Sequence, residues 1–184
     1  VSLKDISPDE QIAQLENKQI QIAFTINEKG DPEVPHLEQW TVLEMDLIVL
    51  LSRFHPLSMK TSIKLTELTQ ETILCLSDGI AVGRHATLAK ELYQKHSVTL
   101  PKLKQVNSFE SMYAFMICNQ GVVLGPKLYK VAPPPGIVER LIELRKDDPK
   151  YQIRAVWLKN DTSAPVKNFI AALKLEMGQH VGST

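Results

Sequence analysis

The chain has 184 residues, a formal net charge of +0, 43% hydrophobic residues and 23% charged ones. That is ordinary globular composition, with length for one domain or two small lobes around a real core, and it excludes a basic nucleic-acid footprint or an acidic disordered tail. Apolar runs such as "LIVLL" are far too short to span a bilayer. Two cysteines, Cys75 and Cys118, are too few for a secreted disulfide framework. Val1 opens with neither the basic start nor the apolar core of a signal peptide, so a cytoplasmic chain is expected, and the missing initiator Met suggests a piece of something longer.

In chain order, "SPDE" at residues 7–10 has the pattern of a capping box with proline in the first helical position. Ser7 can accept from the first-turn amides and Glu10 can reach back to it; Ile12 and Leu15 then give the helix one apolar face. Residues 19–26, "QIQIAFTI", predict a buried strand. Residues 28–35 are loop by composition. Residues 40–52 read as two strands broken around 44–46, and His55-Pro56-Leu57 ends that unit. Residues 64–70 form a short helix or turn, and 72–77 another buried strand.

Residues 85–96 have helical composition, with Leu88, Leu92 and Tyr93 on one side, and 101–106 form a short strand. Asn107 or Ser108 caps the next helix, with Glu110 placed to complete a box. Met112, Phe115 and Met116 share its inner face at i, i+3, i+4 spacing, and Phe109 and Met112 are expected in the core. Asn119 and Gly121 tolerate positive φ, so the helix can stop sharply there. "GVVLGP" is a buried strand stopped by proline, and "APPPG" is rigid loop. "IVERLIEL" and "YQIRAVWL" read as strands, the second alternating Ile153, Ala155 and Trp157. The last helix has Pro165 near its start and a stripe of Val166, Phe169, Ile170, Leu173 and Met177; "GQHVGST" is expected to be a frayed tail. Strands alternating with helices predict an α/β fold with largely parallel sheets.

Chemistry-bearing motifs are sparse. The five histidines include no pair three or four residues apart and none beside Cys at zinc spacing, so no metal is expected. P-loop, G-x-G-x-x-G and G-x-S-x-G patterns do not occur, and nothing local assembles a nucleophile with a base, so no enzyme is expected. The cysteines read as small buried hydrophobes; a redox pair would need an exposed, low-pKa thiolate. "SDGIAVGRHATL", residues 77–88, has another character. A strand ends at Ser77–Asp78, and glycines and polar residues lead into a helix. Ligands of open α/β sheets sit beyond strand carboxyl ends, where helix N-termini aim free amides. Arg84, His85 and Thr87 cluster there, suited to a polar or anionic small molecule, although an ordinary capped loop has the same composition.

These stretches resemble, in order and spacing, the effector-binding domain of LysR-type transcriptional regulators. The similarity lies in residues 1–24, in "VLLSRFHPL", in residues 100–126 and in "IRAVWLKNDTSAPVKNFIAALK". The resemblance implies an α/β, two-lobed type 2 periplasmic-binding-protein-like fold. Lobe I would take residues 1–71 plus 139–184 and lobe II residues 72–138. The family domain begins one strand and one helix earlier, so lobe I is expected to lack both. It also implies a small anionic metabolite bound in the interlobe cleft without chemistry or cofactor, and homodimers or tetramers. DNA would be bound only through an N-terminal helix-turn-helix, of which this chain shows no counterpart. Carried over by position, the effector contacts are Ser7, Thr25, Ile26, Ser77, Asp78, His85 and Thr87, with Ser7 also fully explained as a cap. The alternatives are a transport-type solute-binding protein of the same fold and a redox sensor using Cys75 and Cys118.

Overall fold

Both faces of "YQIRAVWL" are needed to explain the first part of the fold. In the computed structural model of the chain, residues 2–4, 6, 8–28, 34–76, 85–127, 132–148 and 150–180 are described, without the side chains of 8, 9, 26–28, 85 and 178–180. The chain divides into two compact units, Val1–Glu44 with Tyr151–Thr184, and Met45–Lys150.

The first unit is a sheet between two helices. Its elements are α1 (Pro8–Glu16), β1 (Ala23–Glu28), β2 (Leu37–Met45, whose last residue enters the second unit), β9 (Tyr151–Leu158) and α4 (Ala164–His180). The strand order is β1-β9-β2. β1 and β9 run antiparallel, with Ala23 opposite Val156 and Thr25 opposite Arg154. Leu15 of α1 packs with Ala23, Leu37, Val156 and Leu158 on one side. Ala155 packs with Val166 and Ile170 of α4 on the other, joined by Ile22, Trp157 and Phe169. A strand covered on both faces carries apolar residues at odd and even positions alike, which is why the expected Ile153–Ala155–Trp157 face accounts for only half of β9.

The second unit contains β3 (Leu47–Ser52), β4 (Ser62–Ile63), β5 (Thr72–Leu76), α2 (His85–Lys95), β6 (Lys102–Val106), α3 (Phe109–Ile117), β7 (Val123–Pro126) and β8 (Ile137–Ile142). One sheet has the order β4-β8-β3-β7, and β5 pairs with β6. Val122 joins the two: its N–H donates to the Thr72 carbonyl at 2.9 Å and its carbonyl accepts from Leu74 N at 2.8 Å. Leu74, Leu76, Val106, Met112, Met116, Val123 and Ile137 form the core, with Phe115 against it.

Several expectations change here. The β1/β9, β3/β7 and β3/β8 pairings are antiparallel, against parallel β4/β8 and β5/β6, so the sheets are mixed rather than largely parallel. The contacts divide the chain at 44/45 and 150/151, a different division from the lobes expected at 71/72 and 138/139. The reason is pairing: β3 hydrogen-bonds to β7 and β8, which draws residues expected in lobe I into the second unit. The strand expected over 19–26 begins at Ala23, because α1 ends through residues 17–20, with Gln19 N donating to the Gln14 carbonyl at 2.8 Å. Helix α4 runs through His180, so residues 178–180 are helix, and 181–184 lie outside the described residues.

The α3 expectation holds closely. Ser108 caps the helix, its Oγ accepting from Ser111 N at 3.1 Å. That makes Ser111, not Glu110, the third helical residue; Glu110 sits one position earlier than the expected box requires, and its carboxylate bonds the Ser108 side chain. Asn119 has φ 55°, and Gln120 N donates to the Phe115 carbonyl at 2.9 Å, closing the helix end. A Cβ at Gly121 would lie 2.7 Å from the Thr72 carbonyl oxygen and 2.8 Å from Leu74 Cγ. Phe109 is 46% exposed, so it is a surface residue rather than core; it opens α3 at the end of the Met112–Met116 stripe and lies outside the core cluster that the two methionines join.

Candidate functional site

The polar interior of the first unit lies beside one expected contact residue. Thr25, Gln152 and Arg154 are buried at 7%, 5% and 8% exposure, with Thr25 directly across the ladder from Arg154. Arg154 Nε and Nη2 donate to Gln152 Oε1 at 3.1 and 2.8 Å, and Nη1 donates to Gln39 Oε1 at 3.1 Å. Gln152 Nε2 in turn donates to Glu44 Oε1 at 2.7 Å. The face therefore changes character along the strands: apolar under α1 at Ala23 and Val156, hydrogen-bonded at Thr25 and Arg154. A buried guanidinium is costly to desolvate and needs such partners. This network was missed from sequence, and the even positions Gln152 and Arg154 inside an otherwise apolar strand are the signal that could have found it.

Other expected contacts can be placed only in part. Ile26 adjoins Thr25 on β1 with its backbone opposite Ile153; its side chain lies outside the described residues, as do Ser7, Ser77 and Asp78. His85 opens α2, and Thr87, two residues on, is exposed in its first turn. Behind them Leu88, Ala89, Leu92 and Tyr93 are fully buried, so α2 packs into its unit along that whole side. The "HPL" stretch serves a local purpose. His55 is buried, its Nδ1 accepts from Leu57 N at 3.1 Å, and its Nε2 lies 3.2 Å from Glu71 Oε2. With Nδ1 accepting, the ring proton belongs on Nε2, facing the carboxylate.

A cavity of about 1090 Å³ opens in the first unit, lined by residues 18–24, by residues 160–163 and by Phe169, with Ser2–Lys4 and Ile6 also on its wall. Successive residues of a strand point to opposite faces, so a space lined by both Ala23 and Phe24 follows the edge of β1. Cys75 is buried, and that burial pushes its thiol up to about 11; it stays protonated at neutral pH, which counts against the redox pairing with exposed Cys118. Among the described residues no cluster of three or more His, Cys, Asp or Glu could hold a metal ion, and no helix is long and apolar enough to cross a membrane.

The sequence matches the model of the LysR substrate binding domain over residues 1–178. The chain belongs to that family, and its fold is the periplasmic-binding-protein-like α/β fold of such domains. It is similar to the effector-binding domain of QuiR in complex with shikimate, at 20% identity and TM-score 0.73, covering 95% of this chain and 79% of that one. It is also similar to the regulatory domain of Synechocystis CcmR in complex with 2-PG, at 19% identity and TM-score 0.75, covering 96% and 83%. Full-length CbnR complexed with its target DNA aligns at 18% identity and TM-score 0.79, covering 96% of this chain but 60% of that one. No curated protein matches the sequence.

Proposed function

We propose that this domain senses a small anionic metabolite on behalf of a LysR-type transcriptional regulator. The family match over residues 1–178 carries the reading. Its relatives bind such molecules: QuiR is seen with shikimate and BenM with benzoate, both carboxylates. The effector is held, not transformed. Thr25 and Ile26 of the first unit, with Ser77, Asp78, His85 and Thr87 of the second, supply the contacts. Ser7 takes part as well. Differential affinity of the effector for two arrangements of the domain supplies the regulatory bias. The regulator acts in the cytoplasm as a homodimer or tetramer, with DNA bound by a separate N-terminal domain.

Thermal unfolding against benzoate, shikimate, amino acids and neutral amide analogues tests this. Binding to the folded state alone stabilises it by about 2.7 kcal/mol at a hundredfold excess over Kd. A shift with carboxylates and none with their amides is expected. A cooperative transition unmoved by the whole panel would overturn the sensing role.

A further inference from the structure

We infer that α2 is a lever whose C-terminal end is fastened to both points where the chain passes between its units. The anchor is Asp148, whose side chain is 1% exposed. Its Oδ2 accepts from Arg145 N at 2.5 Å and lies 2.7 Å from His96 Nε2. Its Oδ1 lies 3.3 Å from Lys95 Nζ, which also reaches Asp147 Oδ2 at 3.0 Å. Lys95 ends α2 and His96 follows it directly, so two successive residues at one helix end grip one buried carboxylate. Two positions beyond Asp148, Lys150 Nζ pairs with Asp46 Oδ1 at 3.2 Å. The chain leaves the second unit between Lys150 and Tyr151 and enters it between Glu44 and Met45. Asp148 and the Lys150–Asp46 pair thus connect the end of α2 to both passages, entirely within the second unit. The Asp46 carbonyl also accepts from Lys127 N at 2.8 Å, holding the first passage against the end of β7.

Helix α2 is suited to transmit displacement. Its inner side is fully buried at Leu88, Ala89, Leu92 and Tyr93, so it moves as a body, and eleven residues make a rod about 16 Å long. Its first turn carries His85 and Thr87. This part of the inference rests on the effector contacts proposed above: a ligand drawing on that first turn displaces Asp148 at the other end, and with it both passages. The coupling is carried by named contacts in sequence rather than by proximity.

Hydrogen exchange on the full chain tests the fastening without any ligand. In Asp148→Asn, amides at 44–47 and 150–152 should exchange about tenfold faster than in the wild type, while β5 and β6 keep their protection. Acceleration confined to 143–148 and the last turn of α2 would reduce Asp148 to a local staple and overturn the proposal. Should Asp148→Asn lose cooperative unfolding, the paired variants Lys95→Met and Lys150→Met carry the same comparison from the protein surface. A second arm adds benzoate or shikimate. Binding should alter exchange at 44–47 and 150–152 in the wild type, and Asp148→Asn should bind within about twofold of wild type but lose that response. An unchanged response in the variant would refute the lever. Absence of binding by either compound would count against the sensing role alone, since the ligand-free comparison decides the fastening by itself.

Discussion

In Val1–Glu44 with Tyr151–Thr184 the buried polar side chains Thr25, Gln152 and Arg154 sit inside strands. In Met45–Lys150 they are Ser52, His55, Ser58 and Asp148, found at a strand end and in the turns between elements. Turn residues of this kind fix connections: His55 caps the short 3-10 turn Pro56–Met59, and Ser58 Oγ donates to the Arg53 carbonyl at 2.9 Å. A polar network in mid-sheet does something different, since packed hydrophobes of similar volume often serve stability as well or better. The contrast sets a hydrogen-bonded network within the first unit's sheet beside Thr25 against polar residues that hold the joints of the second unit.

Substitutions can challenge that contrast, beginning in the second unit's core. Leu74→Ala should destabilise by about 4 kcal/mol, because a fully buried leucine leaves a cavity; urea denaturation measures it. Gly121→Ala should cost about 3 kcal/mol, since its Cβ would meet the Thr72 carbonyl and the Leu74 side chain. A variant as stable as wild type would mean that this strand junction gives way readily. In the first unit, Arg154→Met should cost about 2 kcal/mol by leaving the amide oxygens of buried Gln152 and half-buried Gln39 without their donor. A larger fall in carboxylate affinity than in stability would mark the network as functional. If Arg154→Met is instead more stable and binds equally well, the functional reading of that sheet face fails.

Acid provides a finer comparison. Burial pushes the Asp148 carboxyl up, but the Arg145 N–H, His96 and Lys95 outweigh it and hold the group below its ordinary 3.8. The folded chain thus binds that proton more weakly than the unfolded one. The stabilisation is complete above the ordinary value and is lost as pH falls through the lower, folded one. Denaturation midpoints at pH 7 and pH 3 should differ less in Asp148→Asn than in the wild type. The smallest effect belongs to Ser108→Ala, at about 1 kcal/mol for a lost N-cap; retention of the full midpoint would show that Ser111 N finds another acceptor.

Local chemistry made much of this legible. The α3 helix, its stop at Asn119 and Gly121 and its Met112–Met116 face could be read from spacing and from the few residues that tolerate positive φ. Pairing could not. That β3 meets both β7 and β8, and in which direction, is decided by partners far along the chain, as in Leu50 opposite Val123 and Ile48 opposite Leu141, so sheet direction was misjudged. The Arg154 network was hidden for a related reason. One strand with both faces buried offers two alternating patterns, and only the apolar one advertises itself.

The ladder between β1 and β9 joins Ala23 to Val156, and the whole second unit lies between them in the sequence. The partners in β5–β6 and in the Val122 junction are close along the chain, with Thr72 facing Lys102 and Ile73 facing Val122. Closing a long loop delays the contacts that reward it, and synthesis is directional. During translation the inserted unit can therefore fold while β1 is still without β9. β1 leaves the ribosome ahead of the whole second unit and has to wait for β9, and until Leu158 emerges its apolar face is in the care of whatever shields nascent chains.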